Sequence, residues 1–173
     1  MAKFLSKIRN IIKINDITPA LLEKWGPEEC DTRRILATAY RLTHYFGWDD
    51  LIYGHITARV PGSEDDMLIN PYGLHYTEVT ASNLVKINTA GRVIDQGSTQ
   101  FPFQPVGHVI HSAIHTQRPD LACVMHIHSK EGIALTAAVE KIEPVCQANV
   151  ELGHISYHDF RGIIFRPEDK EPL

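Results

Sequence analysis

The hydrophobic period of this chain changes at Gly47, and that change limits the folds open to it. Between residues 28 and 46, Ile35, Leu36, Ala39, Leu42 and Phe46 recur at helical spacing, and Gly47 follows as a C-cap. Beyond Gly47 the period is two. Ile52, Gly54, Ile56, Ala58 and Val60 fall on one side of a strand, and Tyr53, His55, Thr57 and Arg59 on the other. Pro61-Gly62-Ser63 turns the chain toward a short strand over Met67–Asn70. Leu84–Ile87 and Val93-Ile94 flank Ala90-Gly91 in a hairpin pattern. Residues 106–117 read as a helix, Leu121–His128 as a strand and Lys130–Val139 as a helix, with short extended segments over 145–150 and 153–157. Strands interleaved with helices predict a single three-layer α/β domain, a largely antiparallel sheet between helices.

Two segments precede that domain. Asn15-Asp16-Ile17-Thr18-Pro19 is a break followed by a helix start, with Thr18 as N-cap and Pro19 at the first position, and Gly26-Pro27 ends this short element. Before it, residues 1–16 form an amphipathic extension, with Phe4, Leu5, Ile8, Ile11 and Ile12 on one face and Lys3, Lys7, Arg9 and Lys13 largely elsewhere. Such a helix suits a membrane surface, a transit signal or packing on a neighbouring element. It lacks the continuous apolar core of a secretory signal.

A net charge of -4 in 173 residues gives no electrostatic case for nucleic acid. No run approaches the length and apolarity of a transmembrane segment. Cys30, Cys123 and Cys146 form no CxxC pair and no even set, which points to a reducing cytoplasm.

Ten histidines are many for this length. Two of them, in Val124-Met125-His126-Ile127-His128, lie two apart on a predicted strand and share a face. Leu121, Cys123, Met125 and Ile127 would then fill the opposite, core-facing side. Two adjacent imidazoles make half of a zinc, iron or manganese site, or a hydrogen-bonded pair beneath a loop. His55, Thr57 and Arg59 suit an anion site or a solvated polar strand face. Glu78, in Tyr76-Thr77-Glu78-Val79-Thr80, reads as a residue favoured at a helix start. His111 reads as a packing histidine. His154 and His158 would share a strand face, four apart.

Gly54-His55-Ile56-Thr57-Ala58-Arg59, the block Leu68–Asn88, His111 ahead of Arg118-Pro119-Asp120, and His126-Ile127-His128 occur together in this order. In that order and spacing the chain resembles the class II aldolase/adducin family from about residue 28 to about 165, closest to the adducin-head-like bacterial members. The resemblance implies a divalent metal, zinc in most members, on His126 and His128. It also implies substrate contacts at His55, Thr57, Asn70 and Gly73. The metal would polarise a small hydroxy-carbonyl substrate during carbon–carbon bond cleavage, and family domains assemble as homo-oligomers. This chain departs from the sugar-phosphate aldolases at three turns. His55 and Thr57 replace the asparagine and serine of a phosphate loop. Asn70-Pro71-Tyr72-Gly73 replaces Thr-Pro-Thr-Gly. Pro105-Val106-Gly107 replaces the Ser-Ser-Glu that carries the catalytic acid. The family's third histidine, in Asn-His-Gly, has no counterpart, so residues 17–173 read as a domain cut short. Three functions stay open at this point: a zinc-dependent lyase, a non-catalytic self-association module, or an inactive fragment.

Overall fold

A computed structural model describes residues 16–138, 142–143, 145–157 and 162. The amphipathic stretch within residues 1–15, His158, and the polar end after Phe165 lie outside the described residues.

The first helix, α1 (Pro19–Phe46), begins as its sequence demands: Thr18 Oγ1 accepts from the Leu21 amide and Pro19 opens the first turn. Gly26 breaks it with φ 76° and ψ 166°, the boundary expected at Gly26-Pro27. Gly47 closes it in the left-handed conformation at φ 71°. Its buried face differs from the predicted one. Ile35, Leu42 and Phe46 are exposed, and the stripe against the sheet is Trp25, Glu29, Cys30, Arg33, Leu36, Ala37, Tyr40 and Thr43. An ion-paired arginine and a hydrogen-bonded tyrosine occupy positions that an apolar template skips.

Five strands follow: β1 (His55–Arg59), β2 (Asp66–Ile69), β3 (Val85–Asn88), β4 (Val93–Asp95) and, after helix α2 (Pro105–Gln117), β5 (Cys123–His126). They form one antiparallel sheet of order β4-β3-β2-β1-β5. The hairpin around Ala90-Gly91 is β3–β4, as its turn signal predicts. Two short helices, α3 (Lys130–Thr136) and α4 (Gln147–Glu151), end the described chain. The extended segment expected over 145–150 is instead helical from Gln147, and 153–157 carry no strand.

The sheet lies between α1 and α2, which is the three-layer arrangement expected. On the α1 face, Leu36, Ala37 and Tyr40 pack with Ile56, Ala58, Leu68, Tyr76 and Leu84. On the other face Met67, Ile69, Val85 and Ile87 pack with Phe103. β1 is therefore buried on both sides, and the His55 and Thr57 face is covered by α2 rather than solvated. β5 is the strand beside it, and its α1-side residues Cys123 and Met125 are exposed instead of core. Helix α1 reaches β1 but leaves β5 uncovered among the described residues.

Candidate functional site

The antiparallel register sets His126 of β5 directly opposite His55 of β1. Their rings stack with centroids 4.8 Å apart and planes 17° from parallel. β5 ends at His126, so His128 lies just past the strand, yet the two rings still converge: their Nε2 atoms are 2.8 Å apart. His128 is steered from outside the strand. Its backbone amide donates to the Trp48 carbonyl at 3.3 Å, and its Nδ1 faces Asp50 Oδ2 at 3.1 Å. A carboxylate on the far nitrogen of an imidazole fixes the tautomer that leaves Nε2 free to ligate.

Two convergent Nε2 atoms, one with a carboxylate behind it, are a donor set that suits a borderline divalent cation. Tetrahedral bonds of 2.0–2.1 Å separate ligand atoms by roughly 3.4 Å, so a small opening of the pair admits one. Gly54 shapes the approach. At φ 82° it occupies a backbone region that glycine tolerates, and a Cβ there would lie 2.7 Å from the Tyr76 hydroxyl and 2.9 Å from the His126 carbonyl. The Tyr76 hydroxyl is fully buried at this bend without a hydrogen-bond partner among the described residues. Burial, with Asp49 adding to it, holds that phenol above its ordinary range.

Behind His126 runs a buried line of polar groups. His55 Nδ1 meets His111 Nε2 at 2.9 Å, and His111 Nδ1 meets Thr57 Oγ1 at 2.8 Å. Thr57 Oγ1 meets His115 Nε2 at 2.9 Å, and His115 Nδ1 meets Arg59 Nη2 at 3.3 Å. A guanidinium can only donate, so His115 Nδ1 accepts and its proton sits on Nε2. Thr57 accepts that proton's hydrogen bond and donates to His111 Nδ1. His111 then carries its proton on Nε2 and donates to His55 Nδ1, which leaves the His55 proton on Nε2. Arg59 thus sets the direction of the whole line, by assignment from its hydrogen-bond network. All three rings stay neutral near pH 7. Burial lowers His55 to about 3, with the charges of His126 and His128 adding to it. Burial lowers His111 to about 2 and His115 to about 4, with His55 the next cause for the first and Arg59 for the second.

The other residues singled out by sequence are placed as follows. Asn70 is fully buried, its Oδ1 accepting from the Tyr40 hydroxyl at 2.8 Å. Gly73, at φ 101°, is exposed beside the Phe101 ring. Glu78 closes a capping box, its Oε2 accepting from the His75 amide at 2.8 Å in the 3₁₀ turn Tyr76–Glu78. His154 is exposed in an irregular segment. Gly107 is the informative position. A Cβ there would lie 2.5 Å from His55 Cγ, so the His55 ring fills the room a side chain at 107 would need. Sequence reasoning treated His111 as packing and passed over His115. Their signal was the i, i+4 spacing of His111 and His115 on a helix facing Thr57.

The helix–sheet–helix sandwich with its antiparallel sheet defines an α/β domain of the class II aldolase type. The chain belongs to the family described as Class II Aldolase and Adducin N-terminal domain, whose profile matches residues 34–168. It is 39% identical over 170 residues to alpha-adducin of Rattus norvegicus, covering 98% of this chain and 23% of that protein. It is similar in structure to an aldolase II superfamily protein from Pseudomonas syringae, with a TM-score of 0.80 and 41% identity, covering 86% of this chain and 60% of that one. It is also similar to L-fuculose 1-phosphate aldolase from Glaciozyma antarctica, with a TM-score of 0.62 and 31% identity over 73% of this chain and 50% of that one. The chain therefore spans between about a quarter and three fifths of the length of these relatives. No described helix is long and apolar enough to cross a membrane.

Proposed function

We propose that this chain carries the metal and substrate face of a class II aldolase-type lyase acting on a small hydroxy-carbonyl compound. The observation that supports it most is the 2.8 Å convergence of His126 and His128 Nε2, backed by Asp50 and stacked against His55. In this reading His126 and His128 hold a divalent cation, zinc by the nature of the donors. When bound, that cation supplies Lewis-acid polarisation of the substrate oxygens. His55 presents its Nε2 proton to a substrate oxygen, held in that tautomer by the line running back to Arg59. Thr57 and Asn70 act from behind, Thr57 as the polar link between His111 and His115 and Asn70 as the partner of Tyr40. Gly73 leaves the backbone accessible to substrate at the exposed turn. The three unpaired thiols fit a reducing compartment, the cytoplasm in this reading.

A second reading rests on a different observation. Gly107 carries no acid, and Ile35, Phe46 and Trp48 present apolar surface to solvent. That combination favours a self-associating, adducin-like module, and it is compatible with a metal retained for structure.

Purified protein, loaded with zinc, should be offered ketose 1-phosphates and unphosphorylated hydroxy-carbonyl compounds. Lack of a positioned acid/base costs on the order of 10²–10⁴ in rate, so slow metal-dependent cleavage, lost in His126→Ala, is the expected result. Fast cleavage of a ketose 1-phosphate would overturn the assignment of Gly107 as a missing acid. No cleavage of any substrate at full metal occupancy would favour the module.

A further inference from the structure

We propose that His44, Asp49 and His75 form a second divalent-metal site, distinct from the His126 and His128 pair and not dependent on the lyase reading. The three side chains come from three different segments: the last turn of α1, the loop after Gly47, and the N-cap of the 3₁₀ turn. Asp49 Oδ2 is the common point, 2.7 Å from His44 Nδ1 and 3.2 Å from His75 Nε2. The imidazoles meet nearly edge to face, centroids 4.9 Å apart and planes at 80°. One ligand atom from each residue lies within 4.8 Å of the others, wider than the roughly 3.4 Å of a tetrahedral zinc site, so the side chains must draw in to share an ion. Two imidazoles and a carboxylate are a donor set for zinc or a similar first-row divalent ion, with open positions for water because His44 is exposed.

The hydrogen bonds around His75 bear on that role. His75 Nδ1 lies 2.8 Å from Thr77 Oγ1. His75 Nδ1 also accepts from the Thr77 amide at 3.2 Å as the cap of the turn, so a cation on Nε2, which moves the ring proton to Nδ1, keeps the hydroxyl as partner and gives up that amide bond. His44 coordinates through Nδ1 and keeps its Nε2–H toward solvent. The ion would tie α1, the loop and the turn together at one atom. The same loop carries Trp48 and Asp50, which hold His128. Occupancy of the second site therefore braces the first without sharing a ligand with it.

The test uses the full chain with zinc chloride as the probe. In a His126→Ala/His128→Ala background, equilibrium dialysis should still find one zinc per chain, and zinc should raise the unfolding temperature. Adding His44→Ala, Asp49→Asn or His75→Asn should weaken that zinc by at least about tenfold. His75→Asn keeps a side chain able to cap the turn, so its metal-free unfolding temperature should match the background. In the unsubstituted chain, zinc should shift the Cε1–H resonances of four imidazoles, two of them lost on replacing His44 and His75. Zinc binding that vanishes completely in the double-variant background would overturn the proposal. So would binding left at full strength by His44→Ala and His75→Asn.

Discussion

Single residues decide the character of the site, and the clearest case is the pair His55 and Gly107. The sequence presents them as two separate departures from the aldolase pattern, one in a phosphate loop and one at the acid. In space they are one exchange, because the His55 ring occupies the volume a side chain at 107 would take. No reading along the chain could join positions 52 residues apart; only the packing of β1 under α2 does so. The His-x-His spacing was legible along the chain, but period-two geometry accounts only for His126, because the strand ends there and Trp48 and Asp50 steer His128. The neutral line behind His55 leads to a pH prediction. His111 is held at about 2 and His115 at about 4, well below a free imidazole. Below pH 6.5 the unfolded chain takes up protons that the folded chain refuses, so stability is complete above that pH and falls as pH drops. Both rings add to that loss, His115 until about pH 4 and His111 until about pH 2. Urea unfolding at pH 7 and pH 5 checks this, and equal stability at both would contradict it.

At the level of elements, α1 shows where sequence pattern misleads. Its apolar spacing picked out Ile35, Leu42 and Phe46, all exposed. The helix docks through a mixed stripe whose centre is Arg33, fully buried. Arg33 stacks 3.7 Å over the Trp25 ring, its Nε donates to Glu29 Oε1 at 2.9 Å, and its Nη1 donates to the Leu84 carbonyl at 2.7 Å. Glu29 Oε2 in turn accepts from Lys86 of β3 at 2.7 Å. Charged residues on a helix normally mark its solvent face, so nothing in the pattern announced a buried ion network. Caps and breaks were legible because they are local chemistry: Thr18, Gly26 and Gly47 all stand where expected. Removing one partner of a buried pair strands the other charge. Glu29→Ala is therefore expected to cost about 3–5 kcal/mol in chemical unfolding, whereas Arg33→Met, which removes the charge and keeps the stem, should cost less. The reverse order would show that Lys86 alone does not satisfy Glu29.

At the level of the molecule as a whole, the face of α1 turned away from the sheet carries exposed apolar side chains. Ile35 is 70% exposed and Phe46 55%, with Trp48 stacked on Phe46 at 4.9 Å. Surface of that kind on a stable domain favours contact with another copy. Light scattering at micromolar concentration should find an oligomer, and Ile35→Glu/Phe46→Glu should shift it toward monomer with the fold intact. A monomer before substitution would remove this patch from consideration. The strand order has a consequence of another kind, for the sequence of events by which the chain acquires its shape. The strands β1 to β4 pair each with its chain neighbour, so that four of the five strands close on adjacent segments. β5 must return from beyond α2 to set His126 against His55. Contacts between distant segments form late because their loop entropy is lost before they are rewarded. The pairing of His126 with His55 is therefore expected to form after β1–β4 have paired, once α2 has been laid across β1.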